Sequence, residues 1–162
     1  MSEFRGTRVV HEYTQSNAGT PEKVFPLLCP VREAEWVPGW QYRMIYSQSG
    51  VAELGCVFIT PNDDGSESTW LCTEYAPADF RIAFAWITPG LVAAQIQIQL
   101  APAPKHITRA HLRYTYTGLS PAGNKEVERF NAEWFRHKMQ GWETAINHFL
   151  RTGAMISAGG WE

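Results

Sequence analysis

Long apolar runs are missing from this sequence: no stretch approaches the roughly 18 apolar residues that a membrane-spanning helix needs. The opening residues, Met-Ser-Glu-Phe-Arg, also lack the apolar run of a secretory signal, so a cytoplasmic protein with no membrane span is expected. Cysteine is scarce. Cys29, Cys56 and Cys72 form no CxxC pair and cannot all be bridged, which suits a reducing compartment and thiols that act as small buried hydrophobes. Charged residues make up 19% of the chain, the formal charge is −2, and no stripe of Lys and Arg interleaves with aromatics. Nucleic acid is therefore not an expected partner. The five histidines show no metal-ligand spacing, and there is no GxSxG elbow, Walker loop or dinucleotide fingerprint. Neither a metal nor a cofactor is expected.

Apolar and aromatic residues, in contrast, are plentiful. With 162 residues, 44% of them apolar, the chain can bury one sizeable core, and a single domain over residues 1–151 is expected. Residues 152–162, with Gly159, Gly160 and the lone Trp161, read as a flexible tail. Seven Trp, six Tyr and eight Phe supply large surfaces suited to a core or to a pocket for an apolar molecule.

Turn residues divide the chain into short elements. Val, Thr and Tyr between Thr7 and Gln15 predict a strand, ended by Asn17-Ala18-Gly19. Thr20-Pro21-Glu22 then opens a helix that Pro26 limits to about two turns, and a second short helix starts at Pro30 and stops before Pro38-Gly39. Six further strands are predicted over residues 42–47, 56–60, 68–75, 81–88, 91–100 and 106–118. Their short connections favour antiparallel neighbours. Gln95-Ile96-Gln97-Ile98-Gln99-Leu100 alternates strictly, giving one wet face and one buried face. Something must cover the buried face, and residues 121–151 are the only candidate of sufficient size.

That stretch reads as one long amphipathic helix, started by Ser120-Pro121 or Asn124 and stopped at Gly153. At about 100° per residue, Val127, Phe130, Trp134, Phe135, Trp142, Ala145, Ile146 and Phe149 share one side. Asn131, Lys138 and Gly141 fall on the same side. A helix that only filled a core would carry Leu or Ile there, because a buried unpaired ammonium is costly and glycine leaves space. The face is therefore expected to border a cavity.

Thr20-Pro21-Glu22-Lys23-Val24-Phe25-Pro26-Leu27-Leu28 and Gly118-Leu119-Ser120, taken with the element order over residues 7–151, resemble the SRPBCC or START-like superfamily, which includes pollen-allergen-like and polyketide cyclase/dehydrase-like proteins. The segment from Cys29 to Trp40 is similar to that of an uncharacterised bacterial subgroup, so it carries over no reaction. The resemblance implies an α+β helix-grip fold. A seven-stranded antiparallel sheet would curve around a long C-terminal helix, with two short helices after the first strand and a hydrophobic cavity between sheet and helix.

Candidate ligand-binding residues are Trp36, Trp40, Trp70, Glu74, Asn131, Trp134, Lys138 and Trp142. Lys138 has three readings: an ion pair with a sheet carboxylate such as Glu74, recognition of an anionic head group, or catalysis by a lysine of lowered pKa. Trp134 and Trp142 flank it at helical spacing, as core packing or as ligand contacts. Glu33, Glu35, Trp36 and Trp40 crowd the joint where the superfamily has its cavity entrance. The two carboxylates there suit a helix start as well as acid–base work, so the tryptophans are the better pocket candidates. Trp70, Cys72 and Glu74 share one strand face if the strand is regular, and which parity points inward is open. Three functions are carried forward. They are binding of a small, largely hydrophobic molecule, an enzyme of cyclase, dehydratase or hydrolase type, and a protein-interaction domain of co-chaperone type.

Overall fold

The computed structural model describes residues 3–160. Strands β1 (Arg8–Asn17), β2 (Arg43–Tyr46), β3 (Val57–Pro61), β4 (Glu67–Ala76), β5 (Arg81–Thr88), β6 (Val92–Ala103) and β7 (Ile107–Gly118) form one sheet in the order β1-β7-β6-β5-β4-β3-β2. Every neighbouring pair is antiparallel. From β2 to β7 each strand pairs with the next in sequence, as short turns dictate. β1 reaches its place beside β7 only because the segment after it crosses to the far edge.

That crossing holds α1 (Pro21–Val24), a 3-10 segment (Phe25–Leu28) and α2 (Pro30–Glu33). Pro21 and Pro30 occupy first-turn positions where their missing N–H costs nothing. Pro26 has no N–H to continue an α ladder, and the chain tightens there instead.

The sheet's inner face is apolar by alternation. Ile96, Ile98 and Leu100 of β6 are buried while Gln95 and Gln97 stand in solvent, and on β7 Ala110, Leu112, Tyr114 and Tyr116 point inward while Arg109, His111 and Arg113 point out. The expected seven-stranded, helix-covered architecture is therefore present.

The C-terminal segment corrects one expectation: it is two helices, α3 (Pro121–Arg129) and α4 (Ala132–Thr152). Ser120 Oγ caps the first by accepting from the Gly123 N–H at 3.0 Å, and Asn131 Oδ1 caps the second by accepting from the Trp134 N–H at 2.9 Å. Asn side chains compete with the helical ladder and favour caps over helix interiors, so Asn131 restarts the helix rather than continuing it. His11 of β1 holds the break, its Nε2–H donating to the Phe130 carbonyl at 2.6 Å. Gly153 ends α4 in the left-handed region at φ 73°, with its N–H on the Phe149 carbonyl at 2.7 Å.

α4 presses Phe135, Met139, Ala145 and Ile146 into the core. Beyond it Ile156 packs on the same core, and Trp161 lies outside the described residues. No described helix is long and apolar enough to cross a membrane.

A second irregularity sits in β4. Cys72 pairs with Phe84, but the next pairs are Glu74 with Ala83 and Tyr75 with Ile82, so Thr73 is an extra residue in a β-bulge. Neither regular parity holds along the whole strand. Trp70 and Cys72 face inward before the bulge, and Tyr75 shares the inner row with Ile82 after it.

Candidate functional site

Where the short helices meet the sheet there is a cavity of about 240 Å³, lined by Phe25, Pro26, Cys29, Arg32, Val51, Ala52, Tyr75 and Ile82. The bulge brings Tyr75 to this wall, where its ring lies 5.9 Å from that of Phe25. The 3-10 turn at Pro26 supplies Phe25, and Phe80 meets it edge-on at 6.0 Å. Arg32 is engaged by Glu35 one turn on. The volume lies below the roughly 300 Å³ at which pockets for drug-sized ligands begin, and it suits a single ring or short chain. None of the eight sequence-named candidates lines it.

Apart from this cavity, three buried or half-buried polar groups have no side-chain partner among the described residues. Glu33, at the end of α2, is only 8% exposed, and no described residue pairs or hydrogen bonds with its carboxyl group. Burial raises its pKa from the ordinary carboxylate value to about 8, leaving it protonated at neutral pH. Lys138 on α4 likewise forms no ion pair with a described carboxylate, and desolvation lowers its pKa to about 8. Its Nζ rests 5.1 Å from the Trp134 ring centroid and 6.0 Å from that of Tyr114. Tyr114 is 3% exposed, and its acidity is suppressed first by burial and then by the charge of Glu33.

Lys138 is dry enough to lose basicity, yet only part of its surface is covered by protein. The hydroxyl of Tyr114 and the carboxyl of Glu33 are not among the buried atoms sealed from water without a partner. Tyr116, whose hydroxyl has no partner either, is one of these sealed groups.

Four of the sequence-named candidates surround this interior. Trp36, 1% exposed, donates its indole N–H to the Leu27 carbonyl at 2.9 Å and meets Trp142 edge-on at 5.5 Å. That contact joins the end of α2 to α4 one turn from Lys138. Trp134 stacks on Phe130 at 4.5 Å and lies 6.1 Å from Tyr116. Trp70, held by an indole N–H bond to Thr60 Oγ1 at 2.9 Å, stacks on Phe58 and connects through Trp86 to Tyr116. Trp40 lies apart, donating to the Pro30 carbonyl and stacking on Tyr42.

Two candidates are displaced from the inner side. Glu74 is exposed on the outer sheet face because the bulge at Thr73 precedes it, so the expected ion pair with Lys138 is absent. Asn131 is exposed at the helix joint, its side chain spent on the cap.

Sequence reasoning ranked Glu33 behind the tryptophans and missed Tyr114 and Tyr116. The alternation Ala110, Leu112, Tyr114, Tyr116 along β7 was the signal for the tyrosines.

The three thiols also gather here. Cys56 and Cys72 face each other across β3 and β4, where hydrogen bonding to Cys72 pulls the Cys56 thiol down and pushes its partner up. Cys29 Sγ accepts the Ala52 N–H at 3.2 Å beside the cavity. All three are free and buried.

No protein-family model matches the chain, and no curated protein does. Solved structures do. Norcoclaurine synthase from Thalictrum flavum in complex with dopamine and hydroxybenzaldehyde superposes with a TM-score of 0.66 at 15% identity, over 91% of this chain and 88% of that one. Ara h 8.0201 gives 0.64 at 14% identity, over 90% and 99%. DynU16, encoded in the dynemicin biosynthetic locus, gives 0.58 at 18% identity, over 90% of this chain and 48% of that one. The chain thus has the helix-grip fold of these structures. At these identities the likeness concerns the fold, which hosts many functions.

Proposed function

We propose that the protein binds a small, largely hydrophobic molecule in the space between the sheet and α4, with Lys138 reading a polar end of it. The observation that carries this reading is Lys138 itself: a half-buried cation beside Trp134 and Tyr114, without a counter-ion among the described residues. An anionic or carbonyl oxygen supplied by a guest would satisfy it. The 240 Å³ cavity beside Phe25 and Tyr75 offers a way in from the joint of the short helices.

A second reading, an enzyme of cyclase, dehydratase or hydrolase type, is favoured by a separate fact. Glu33 and Lys138 border the same aromatic interior, and both titrate near neutrality, as an acid–base pair must. The co-chaperone reading draws on Leu71 and Ile87, exposed on the outer sheet face, but Glu12, Arg113, Gln97 and Glu74 make much of that face polar.

Native mass spectrometry of freshly purified protein, beside a denaturing spectrum, tests the proposal. The expected result is a discrete extra mass that is lost on denaturation, and lost from Lys138→Met although that variant folds. An apo spectrum, together with no thermal stabilisation by any apolar acid, would sink the binding reading. A guest recovered with altered mass after incubation, but unaltered with Glu33→Gln or Lys138→Met, would move the assignment to an enzyme.

A further inference from the structure

Lys138 is one end of the interior, and the structure places a different polar group at the other. Glu33 approaches from α2, whose following residues dock through Trp36 onto Trp142 of α4. Tyr114 lies between them: its ring is 6.0 Å from Lys138 Nζ, and its hydroxyl feels the charge of Glu33. Glu33 and Lys138 form no ion pair with each other. The wall between the ends is aromatic, made of Trp36, Trp142, Trp134 and Tyr114.

A carboxyl group on a residue only 8% exposed, with no described partner, is a costly buried polar group unless something fills its hydrogen-bonding capacity. Kept neutral, Glu33 presents both an O–H donor and a carbonyl acceptor. A hydroxyl or amine complements that pair, and a bare hydrocarbon does not.

We propose that Glu33, assisted by the Tyr114 hydroxyl, is a second recognition point of the interior, so that the guest is a two-ended aromatic molecule with an acidic or carbonyl oxygen at Lys138 and a hydroxyl or amine at Glu33. The inference rests on the binding reading above and narrows it to one chemical class. Discrimination of this kind is larger than shape alone provides, because the analogue without the hydroxyl leaves a buried polar group unpaired.

Two probe pairs test it by tryptophan fluorescence titration and calorimetry: 6-hydroxy-2-naphthoate against 2-naphthoate, and 4-hydroxycinnamate against cinnamate. At least one hydroxylated member should bind about fivefold or more tighter than its parent acid, the worth of one buried hydrogen bond. Glu33→Leu should erase that advantage, and Tyr114→Phe should reduce it. Lys138→Met should weaken both members of a pair alike. If the parent acids bind and neither hydroxyl gives an advantage, or if the advantage survives Glu33→Leu, the second recognition point is overturned while the binding reading stands. If no acid binds at all, the binding reading falls and this inference falls with it. Should Glu33→Leu not fold, the wild-type comparison and Tyr114→Phe still decide.

Discussion

Glu33 and Lys138 are buried or half-buried ionisable groups without side-chain partners among the described residues, and each shifts toward its neutral form for that reason. Their opposite shifts give stability an unusual dependence on pH. Between about 4.5 and 8 the unfolded chain has released the Glu33 proton and the folded chain has kept it, so stability falls as pH rises. Between about 8 and 10.5 the unfolded chain holds a proton on Lys138 that the folded chain has lost, so stability rises. The two contributions meet in a minimum near pH 8, while the neighbouring Tyr114 and Tyr116 are pushed to titrate above this window. Urea midpoints across pH should show the falling limb in the wild type and not in Glu33→Leu, and the rising limb in the wild type and not in Lys138→Met. Profiles that superimpose for all three proteins would mean that both groups remain hydrated. Lys138 was legible in the sequence because an ammonium interrupts an otherwise apolar helix face. Glu33 was not, because a carboxylate in a helix's first turn has an ordinary explanation and nothing in its neighbours announces burial.

At the scale of elements, Asn131 and Thr73 decide which side chains reach the interior. The sequence marked the strands, the two proline-initiated helices and the Gly153 stop, because those signals are local and chemical. It did not mark the break at Asn131, since the apolar period runs through the break almost undisturbed and a capping Asn looks the same as an inward-facing one. Nor did it mark the bulge, which depends on β5 pairing across from β4 and leaves no trace in composition. If Asn131 acts as a cap, Asn131→Ala should cost about 1 kcal/mol and lower the melting temperature by about 2–4 °C, with guest capture unchanged. Lost capture at an unchanged melting temperature would return Asn131 to the ligand contacts.

At the scale of the whole molecule, one sheet and one covering helix share a single core running from Val24 and Phe58 through Ile96 to Met139 and Ile146. A core continuous across every strand predicts one cooperative unit over residues 1–151. Tryptophan fluorescence and far-UV circular dichroism should give coincident urea transitions, whereas separated midpoints would divide the chain into two units. The bulge in β4 has a consequence for how such an interior changes over generations. Facing along a strand is set by counting, so a substitution at Thr73 leaves the lining as it is. Deletion of Thr73 would remove the extra residue and leave Glu74 opposite Ala83 and Tyr75 opposite Ile82, whereas regular pairing of Thr73 would turn Glu74 to the side of Lys138. The charge of this interior is thus written in the pairing of the strand, and neither a substitution at Thr73 nor its deletion edits it.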